Sequence, residues 1–229
     1  MFFYFDPTYF LVIIGIVLCL IASANVKMTY NKFEKIKGMR GITARETAEW
    51  ILKNAGISDV SVERTQGALT DHYDPRSGVV RLSEAVADST SVAALGVAAH
   101  ECGHAIQHER RYLPLKIRSV LIPVVNIGST LSWPLILFGI IFGLGNLVDI
   151  GIILFGAVLI FQIITLPVEF NASRRAMRIL RESGILMENE LRGARKVLTA
   201  AAMTYVTAVL FSALQLMRLL ILFGGRKRR

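Results

Sequence analysis

The sequence predicts a mainly helical membrane protein, in which three or four transmembrane helices carry a small α+β domain. Apolar residues make up 53% of the 229-residue chain. They are concentrated in four runs, at 9–24, 120–144, 147–168 and 200–223. About 20 apolar residues span a bilayer as a helix. The polar stretch between the first two runs is long enough to fold as a small domain.

Basic residues lie beside the apolar runs and predict the orientation of the chain. The net charge of +9 would indicate a nucleic-acid partner in a soluble protein. Here the clustering favours a lipid bilayer, and no nucleic-acid partner is expected. No Lys or Arg precedes Tyr9, whereas six follow the first run: Lys27, Lys32, Lys35, Lys37, Arg40 and Arg45. The positive-inside rule then places residues 27–116 in the cytoplasm.

Local signals predict the first elements of this polar stretch. Thr43 and Glu46 form a capping box that opens a helix, and Gly56 closes it. Residues 59–63 and 78–83 are expected to be strands, since their side chains alternate or favour extended structure. A second helix is expected over 89–108, and Ser89, Thr90 and Ser91 are its N-cap candidates.

The second predicted helix contains the pattern H-E-x-x-H, formed by His100, Glu101 and His104. Histidines four residues apart lie on one face of a helix and can bind one metal ion. Zinc with an open coordination position activates a water molecule near neutral pH, and Glu101 can be its general base. The motif therefore predicts a zincin-like domain that hydrolyses peptide bonds. Strand 78–83, beside this helix, can pair with an extended substrate.

A catalytic zinc ion usually has three protein ligands, and the sequence offers two candidates for the third. His108 follows His104 by four residues. However, ligands on three successive turns converge poorly, because each turn rises about 5.4 Å. Glu169 ends the third apolar run, where a carboxylate can reach a cytoplasmic site, and is the favoured candidate. The alternative for Glu169 is an ordinary helix N-terminal charge.

Further polar residues have interpretations that the sequence leaves open. Cys102 is expected to be a small core residue. A polar stripe on the fourth apolar run either joins helices or lines a route to the zinc. Its members are Thr204, Thr207, Ser212, Gln215 and Arg218. An oxyanion stabiliser is also expected, and its candidates are His72, Tyr73, Arg174 and Arg175.

Beyond the motif itself, several segments carry a family resemblance: 69–76, 80–83, 91–107, 114–115, 118–119, 168–176 and 214–220. Over nearly its whole length the chain resembles the neutral zinc metallopeptidase family of bacterial membranes (YugP-like). The resemblance implies a zinc-dependent membrane peptidase with His100 and His104 as metal ligands and Glu101 as the base.

The segment from Glu169 to Ser173 is similar to the E-x-x-x-D pattern of the CAAX-prenyl and heat-shock membrane proteases. In those families the glutamate is the third zinc ligand. This chain has Ser173 where they have aspartate. Histidine ligands normally donate their second N–H group to an acceptor. Asn171 and Asp71 are therefore alternatives for that role.

Together these observations predict an integral membrane zinc-dependent endopeptidase. One Zn²⁺ per chain is bound by His100, His104 and Glu169, and Glu101 is the general base. The alternative is a non-proteolytic zinc-binding membrane scaffold, which would not need that base. The expected partners are a peptide or membrane-protein substrate and the lipid bilayer. The expected location is the bacterial plasma membrane, crossed several times, with the zinc site on the cytoplasmic side.

The predicted organisation has five parts. They are an N-terminal transmembrane helix (1–26), a cytoplasmic zinc-protease domain (27–116), a transmembrane hairpin (117–168), a cytoplasmic helix with the third ligand (169–199), and a fourth hydrophobic helix with a basic tail (200–229).

Overall fold

The computed structural model describes residues 6–67 and 70–224, and within them the chain is mainly helical with one small sheet. These residues form seven helices and three strands, in the order α1 Tyr9–Phe33, α2 Ala44–Asn54, β1 Ser61–Thr65, β2 His72–Asp74, β3 Val79–Ser83, α3 Glu84–Ala87, α4 Val92–Glu109, α5 Leu113–Ile141, α6 Gly145–Glu182 and α7 Glu188–Phe223. Leu69 and the basic tail over 225–229 lie outside the described residues.

The chain divides into two compact units. The first, which we call the apolar unit, comprises residues 6–23, 117–166 and 204–224 of the described chain. The second, the polar unit, comprises residues 24–67, 70–116 and 167–203. All of the predicted metal-site residues belong to the polar unit.

Of the helices that the described residues form, four are long and apolar enough to cross a membrane: α1, α5, α6 and α7. They contain 25, 29, 38 and 36 residues. Helices α6 and α7 extend well beyond the apolar runs that predicted them. Residues 169–199 are therefore the end of α6, a short connection and the start of α7, rather than a separate helix.

Glycines allow close approach of α5 and α6 in the apolar unit. Helix α5 ends at Ile141, Gly143 has a φ of 69°, and α6 begins two residues later. A Cβ atom at Gly151 would lie 2.8 Å from the carbonyl oxygen of Ser132. At Gly139 it would lie 2.8 Å from the backbone nitrogen of Val148. Only glycine, without a side chain, fits such contacts.

The polar stripe on α7 has partners inside the apolar unit. Arg218 donates to the Asp6 carboxylate at 3.1 Å, and its guanidinium carbon lies 4.3 Å from the centre of the Tyr9 ring. The hydroxyl of Thr207 donates to the carbonyl oxygen of Thr204 at 3.0 Å. The Thr207 bond lies within α7, whereas the contacts of Arg218 with Asp6 and Tyr9 favour the interpretation of the stripe as a helix-joining surface.

The sheet of the polar unit has the strand order β1-β3-β2, with β1 parallel and β2 antiparallel to β3. Strand β3 agrees with the prediction to within one residue, and β1 begins two residues later than predicted. Strand β2 was not predicted, because it has only three residues and lacks an alternating apolar pattern. Its presence makes β3 the central strand. The prediction that strand 78–83 pairs with substrate is therefore wrong, since both of its edges are occupied.

Helix α4 lies in the core of the polar unit and packs against α2. Its alanines at 93, 94, 98 and 99 are completely buried, and their small side chains permit close helix packing. The hydroxyl of Ser91 accepts the Ala94 N–H at 3.2 Å and so caps the N-terminus of α4. The predicted capping box of α2 is present at Thr43 and Glu46. These local signals fix where both helices begin.

Candidate metal centre

His100 and His104 lie one turn apart on the same face of α4. Their ring centres are 4.8 Å apart and the ring planes are almost perpendicular. Between them, Gly103 lets α6 approach α4, because a Cβ atom there would lie 2.8 Å from the carbonyl oxygen of Ala172. The packing of α6 against α4 therefore requires glycine at this position of the motif. It allows the neighbouring helix to present its side chains to the histidines.

Glu169, on α6, is the side chain that reaches both histidines. Its Oε2 atom lies 3.4 Å from Nε2 of His100 and 3.6 Å from Nε2 of His104. The residue is only 3% exposed. One nitrogen or oxygen atom from each of the three residues lies within 4.8 Å of the others. The polar unit thus brings together all three residues predicted as metal ligands.

The three residues fit a zinc ion in their chemistry, and the two distances from Glu169 to the histidines fit it in spacing. Imidazole nitrogen and carboxylate oxygen are both zinc ligands, with bond lengths of about 2.0–2.1 Å. At the corners of a tetrahedron of that size, neighbouring ligand atoms lie about 3.3–3.4 Å apart. The two distances from Glu169, 3.4 and 3.6 Å, match this edge closely. A zinc ion held by these three side chains would keep a fourth position open for water.

His104 is held by a buried glutamine. Its Nδ1–H donates to Oε1 of Gln107 at 3.1 Å. The amide nitrogen of Gln107 donates to the carbonyl oxygen of Val168 at 2.8 Å and to Oδ1 of Asn171 at 3.0 Å. Arg175 donates through Nε to the same Asn171 oxygen at 2.7 Å. Gln107 is completely buried. We call these three side chains, Gln107, Asn171 and Arg175, the glutamine relay.

The relay fixes which nitrogen of His104 carries the proton. Arginine is always a donor, so the Asn171 atom that faces it is the oxygen. Both amide hydrogens of Gln107 point to acceptors, which leaves its oxygen facing His104. Nδ1 of His104 must therefore be protonated, and the lone pair lies on Nε2, toward the cluster. The sequence missed this role for Gln107, although a polar residue three positions after His104 in an apolar helix is a usable signal.

His100 has a simpler support. Its Nδ1 atom lies 3.1 Å from the hydroxyl of Ser173. Ser173 thus takes the place of the aspartate in the E-x-x-x-D pattern. Of the two alternatives from the sequence, Asn171 acts only through Gln107. Asp71 accepts instead from the backbone and hydroxyl of Ser83, at 2.8 and 3.1 Å.

Glu101 points to the edge strand rather than to the cluster of three. Its Oε2 atom accepts the backbone N–H of Tyr73, in β2, at 3.0 Å, and the residue is 9% exposed. This bond leaves Oε1 available for proton transfer. A carboxylate held next to two candidate metal ligands, and outside the group of three itself, has the placement that a general base needs.

The remaining candidates have other partners. His108 lies away from the cluster, with Nδ1 2.9 Å from the Tyr73 hydroxyl. The Cys102 thiol donates to Ala48 O at 3.6 Å, and burial, with the nearby Glu101 charge, raises its pKa well above the usual range. It is therefore a core residue with an inert thiol. Among the oxyanion candidates, Arg175 belongs to the glutamine relay, and Nδ1 of His72 lies 2.7 Å from Thr70 O.

The electrostatics of His104 follow from its two neighbours. Burial would lower its pKa, but the hydrogen bond that His104 donates to Glu169 and the negative charges of Glu101 and Glu169 outweigh burial. The pKa of His104 therefore lies above its ordinary value in the metal-free protein. The same negative charge favours a divalent cation between these groups.

Comparison with known proteins agrees with the resemblance noted in the sequence. Residues 8–224 match the family described as "Putative neutral zinc metallopeptidase". The chain is also 47% identical over 218 residues to the "Putative membrane protease YugP" of Bacillus subtilis (strain 168), covering 95% of this chain and 97% of the relative. No solved structure matches the chain. The chain belongs to the family described as "Putative neutral zinc metallopeptidase".

Proposed function

We propose that this chain is an integral membrane zinc-dependent endopeptidase, with one zinc ion bound by His100, His104 and Glu169. The observation that carries the proposal is the convergence of these three side chains at zinc-ligand spacing, with Glu101 beside them. When bound, zinc acts as a Lewis acid that polarises water and the scissile carbonyl group. The family description and the relative named as a membrane protease support the same reaction class.

Glu101 moves the proton in this proposal. Its Oε2 is held by the Tyr73 N–H, so the carboxylate keeps one orientation while Oε1 takes the proton of the attacking water. The same oxygen then delivers that proton to the leaving amine. A non-proteolytic scaffold would not require a carboxylate held in this position.

The substrate lies along the outer edge of β2 in this proposal. The backbone N–H of Tyr73 donates to Glu101 and not to Val80, the residue opposite it in β3. Tyr73 and Val80 therefore form a non-hydrogen-bonded pair, in which the backbone N–H and C=O groups of Tyr73 point away from β3. Tyr73 therefore directs its C=O to the outer edge as well, where an extended peptide can donate to it. Backbone pairing selects for an extended chain rather than for one side chain, which suits an endopeptidase acting on peptides or membrane proteins.

The same proposal places the protein in the bacterial plasma membrane with the zinc site on the cytoplasmic side. Four helices have the length and composition of membrane spans, and the six basic residues after the first apolar run favour a cytoplasmic polar unit. A cysteine introduced at Asp59 should resist a membrane-impermeant thiol reagent in intact cells and react after lysis. Labelling of intact cells would reverse the orientation.

The activity is tested by comparing protein N-termini in cells that carry the wild type or Glu101→Gln. We expect new N-termini from membrane or membrane-associated proteins only with the wild type, and uncut precursors with the variant. His108→Ala, which changes a histidine on the same helix, is the matched control and should give the wild-type pattern. Identical N-termini for the wild type and Glu101→Gln would refute the peptidase proposal.

A further inference from the structure

A cleft in the polar unit, separate from the three metal ligands, is surrounded by arginines. It has a volume of about 480 Å³ and lies between the end of α6 and the start of α7. Four of its lining residues are arginines, at 174, 178, 181 and 195, and one is a glutamate, at 182. We call it the arginine cleft.

The charges of the arginine cleft are not balanced by the protein. Arg181 pairs with Glu188 at 3.1 Å. Arg178 and Arg195 are exposed, and neither forms an ion pair with a carboxylate of residues 6–67 or 70–224. Cations gathered around one cavity repel each other unless an anion joins them. Guanidinium groups bind phosphate with two parallel hydrogen bonds.

The rest of the lining is apolar. Met177, Leu198, Ala202 and Phe170 contribute to the wall of the arginine cleft. A small inorganic anion would leave this surface without a partner. A ligand with a phosphate group and an attached hydrocarbon part would use both the cations and the apolar wall.

The position of the cleft along its two helices favours a lipid as that ligand. Arg174 follows the end of the third apolar run, at Val168, by six residues, and Arg195 precedes the fourth run, at Ala200, by five. At 1.5 Å per residue these separations are about 7–9 Å along the helices, and Arg178, ten residues after Val168, lies about 15 Å along α6. The head-group layer of a bilayer is about 5–8 Å thick on each side. Basic pockets between helices at this level bind anionic head groups.

We propose that the arginine cleft binds the head group of an anionic phospholipid. The proposal does not depend on peptidase activity, because it concerns binding alone. Ser173 lines the cleft and also contacts His100, so an acidic peptide segment is the rival occupant. The experiment must therefore distinguish lipid from peptide.

The test uses the full-length protein in a neutral detergent, titrated with phosphatidylglycerol or phosphatidylcholine and analysed by native mass spectrometry. The variant combines Arg178→Gln with Arg195→Gln. The matched control combines Arg192→Gln with Lys196→Gln, which removes the same charge from exposed positions outside the lining of the cleft. Inorganic phosphate and a glutamate-rich peptide are titrated in parallel.

We expect the wild type and the control pair to bind phosphatidylglycerol in preference to phosphatidylcholine. The cleft pair should bind it about 10–30-fold more weakly, as expected for the loss of two arginines near a head group. If the cleft pair loses its native melting profile in neutral detergent, Arg174→Gln with Arg195→Gln replaces it.

Three results would overturn the proposal. In the first, both charge-removal pairs lose the same affinity, which indicates a general surface potential. In the second, phosphate binds as tightly as phosphatidylglycerol. In the third, the glutamate-rich peptide binds through Arg178 and Arg195 while the lipid does not, which would assign the cleft to substrate.

Discussion

The two histidines of the metal centre lie one turn apart on one helix, yet their supports differ in chemistry. His104 donates to Gln107, whose amide is oriented by Val168 and Asn171. The corresponding nitrogen of His100, Nδ1, contacts the hydroxyl of Ser173. A hydroxyl group can donate or accept, so it does not determine the tautomer of its histidine. One candidate ligand is therefore preorganised by a buried network, whereas the other remains adjustable.

Removing one of the proposed ligands should have the greatest effect on zinc binding. His104→Ala and Glu169→Gln should each lose stoichiometric zinc. The first removes a nitrogen donor, and the second replaces a buried charged oxygen with a neutral amide. Zinc affinity should fall by more than roughly 100-fold, the largest loss that usually follows when a group hydrogen-bonded to a metal ligand is removed. Elemental analysis after dialysis against a chelator measures it, and one zinc per chain in both variants would rule out the assigned site.

The next effect should come from the glutamine relay. Gln107→Met keeps the length of the side chain but removes all three of its hydrogen bonds, so His104 loses its fixed tautomer. Zinc affinity should fall by about 10–100-fold. Competition with a chelator of known affinity measures the change. Asn171→Leu should give a smaller loss in the same direction, and wild-type affinity for Gln107→Met would show that the relay does not position His104.

Ser173→Ala should have a weaker effect than Gln107→Met. Its hydroxyl makes one contact with His100 and does not fix the tautomer, so water can replace it beside a cavity. We expect zinc affinity to fall by less than about tenfold, which is below the usual loss when a group hydrogen-bonded to a metal ligand is removed. The same competition assay applies. A larger loss of zinc affinity for Ser173→Ala than for Gln107→Met would show that the support of His100 is the more important of the two.

The smallest effect should come from His108→Ala. This histidine contacts the Tyr73 hydroxyl at the exposed end of α4 and not the three ligands. Zinc affinity should remain at the wild-type value. If His108→Ala loses zinc while Glu169→Gln keeps it, His108 is the third ligand and α6 has no part in the site.

The elements that the sequence predicted well depend on local signals. The capping box at Thr43, the cap at Ser91 and the spacing of His100 and His104 all lie within a few residues of what they determine. Glu169 was favoured because of its chemistry and its position after an apolar run. The structure places it beside both histidines, 65 residues after His104.

The partners of the two supports could not be predicted, because they are distant in sequence. Gln107 bonds residues 61 and 64 positions later, and Ser173 lies 73 positions after His100. Strand β2 depends on pairing with β3, since three residues carry no periodic pattern of their own. Helix α6 also continues past Val168, where apolar composition alone predicted an end. Tertiary packing decides each of these features.

In the proposed mechanism, Glu101 performs the proton transfer of a zinc peptidase without binding the metal itself. The most direct measurement is cleavage of a peptide library by purified, zinc-loaded Glu101→Gln and wild-type protein, followed by mass spectrometry. The glutamine keeps the shape and the acceptor for Tyr73 but cannot take a proton. We expect both proteins to retain one zinc per chain and the variant to cleave about 10²–10⁴-fold more slowly. Cleavage by Glu101→Gln at the wild-type rate would contradict the account.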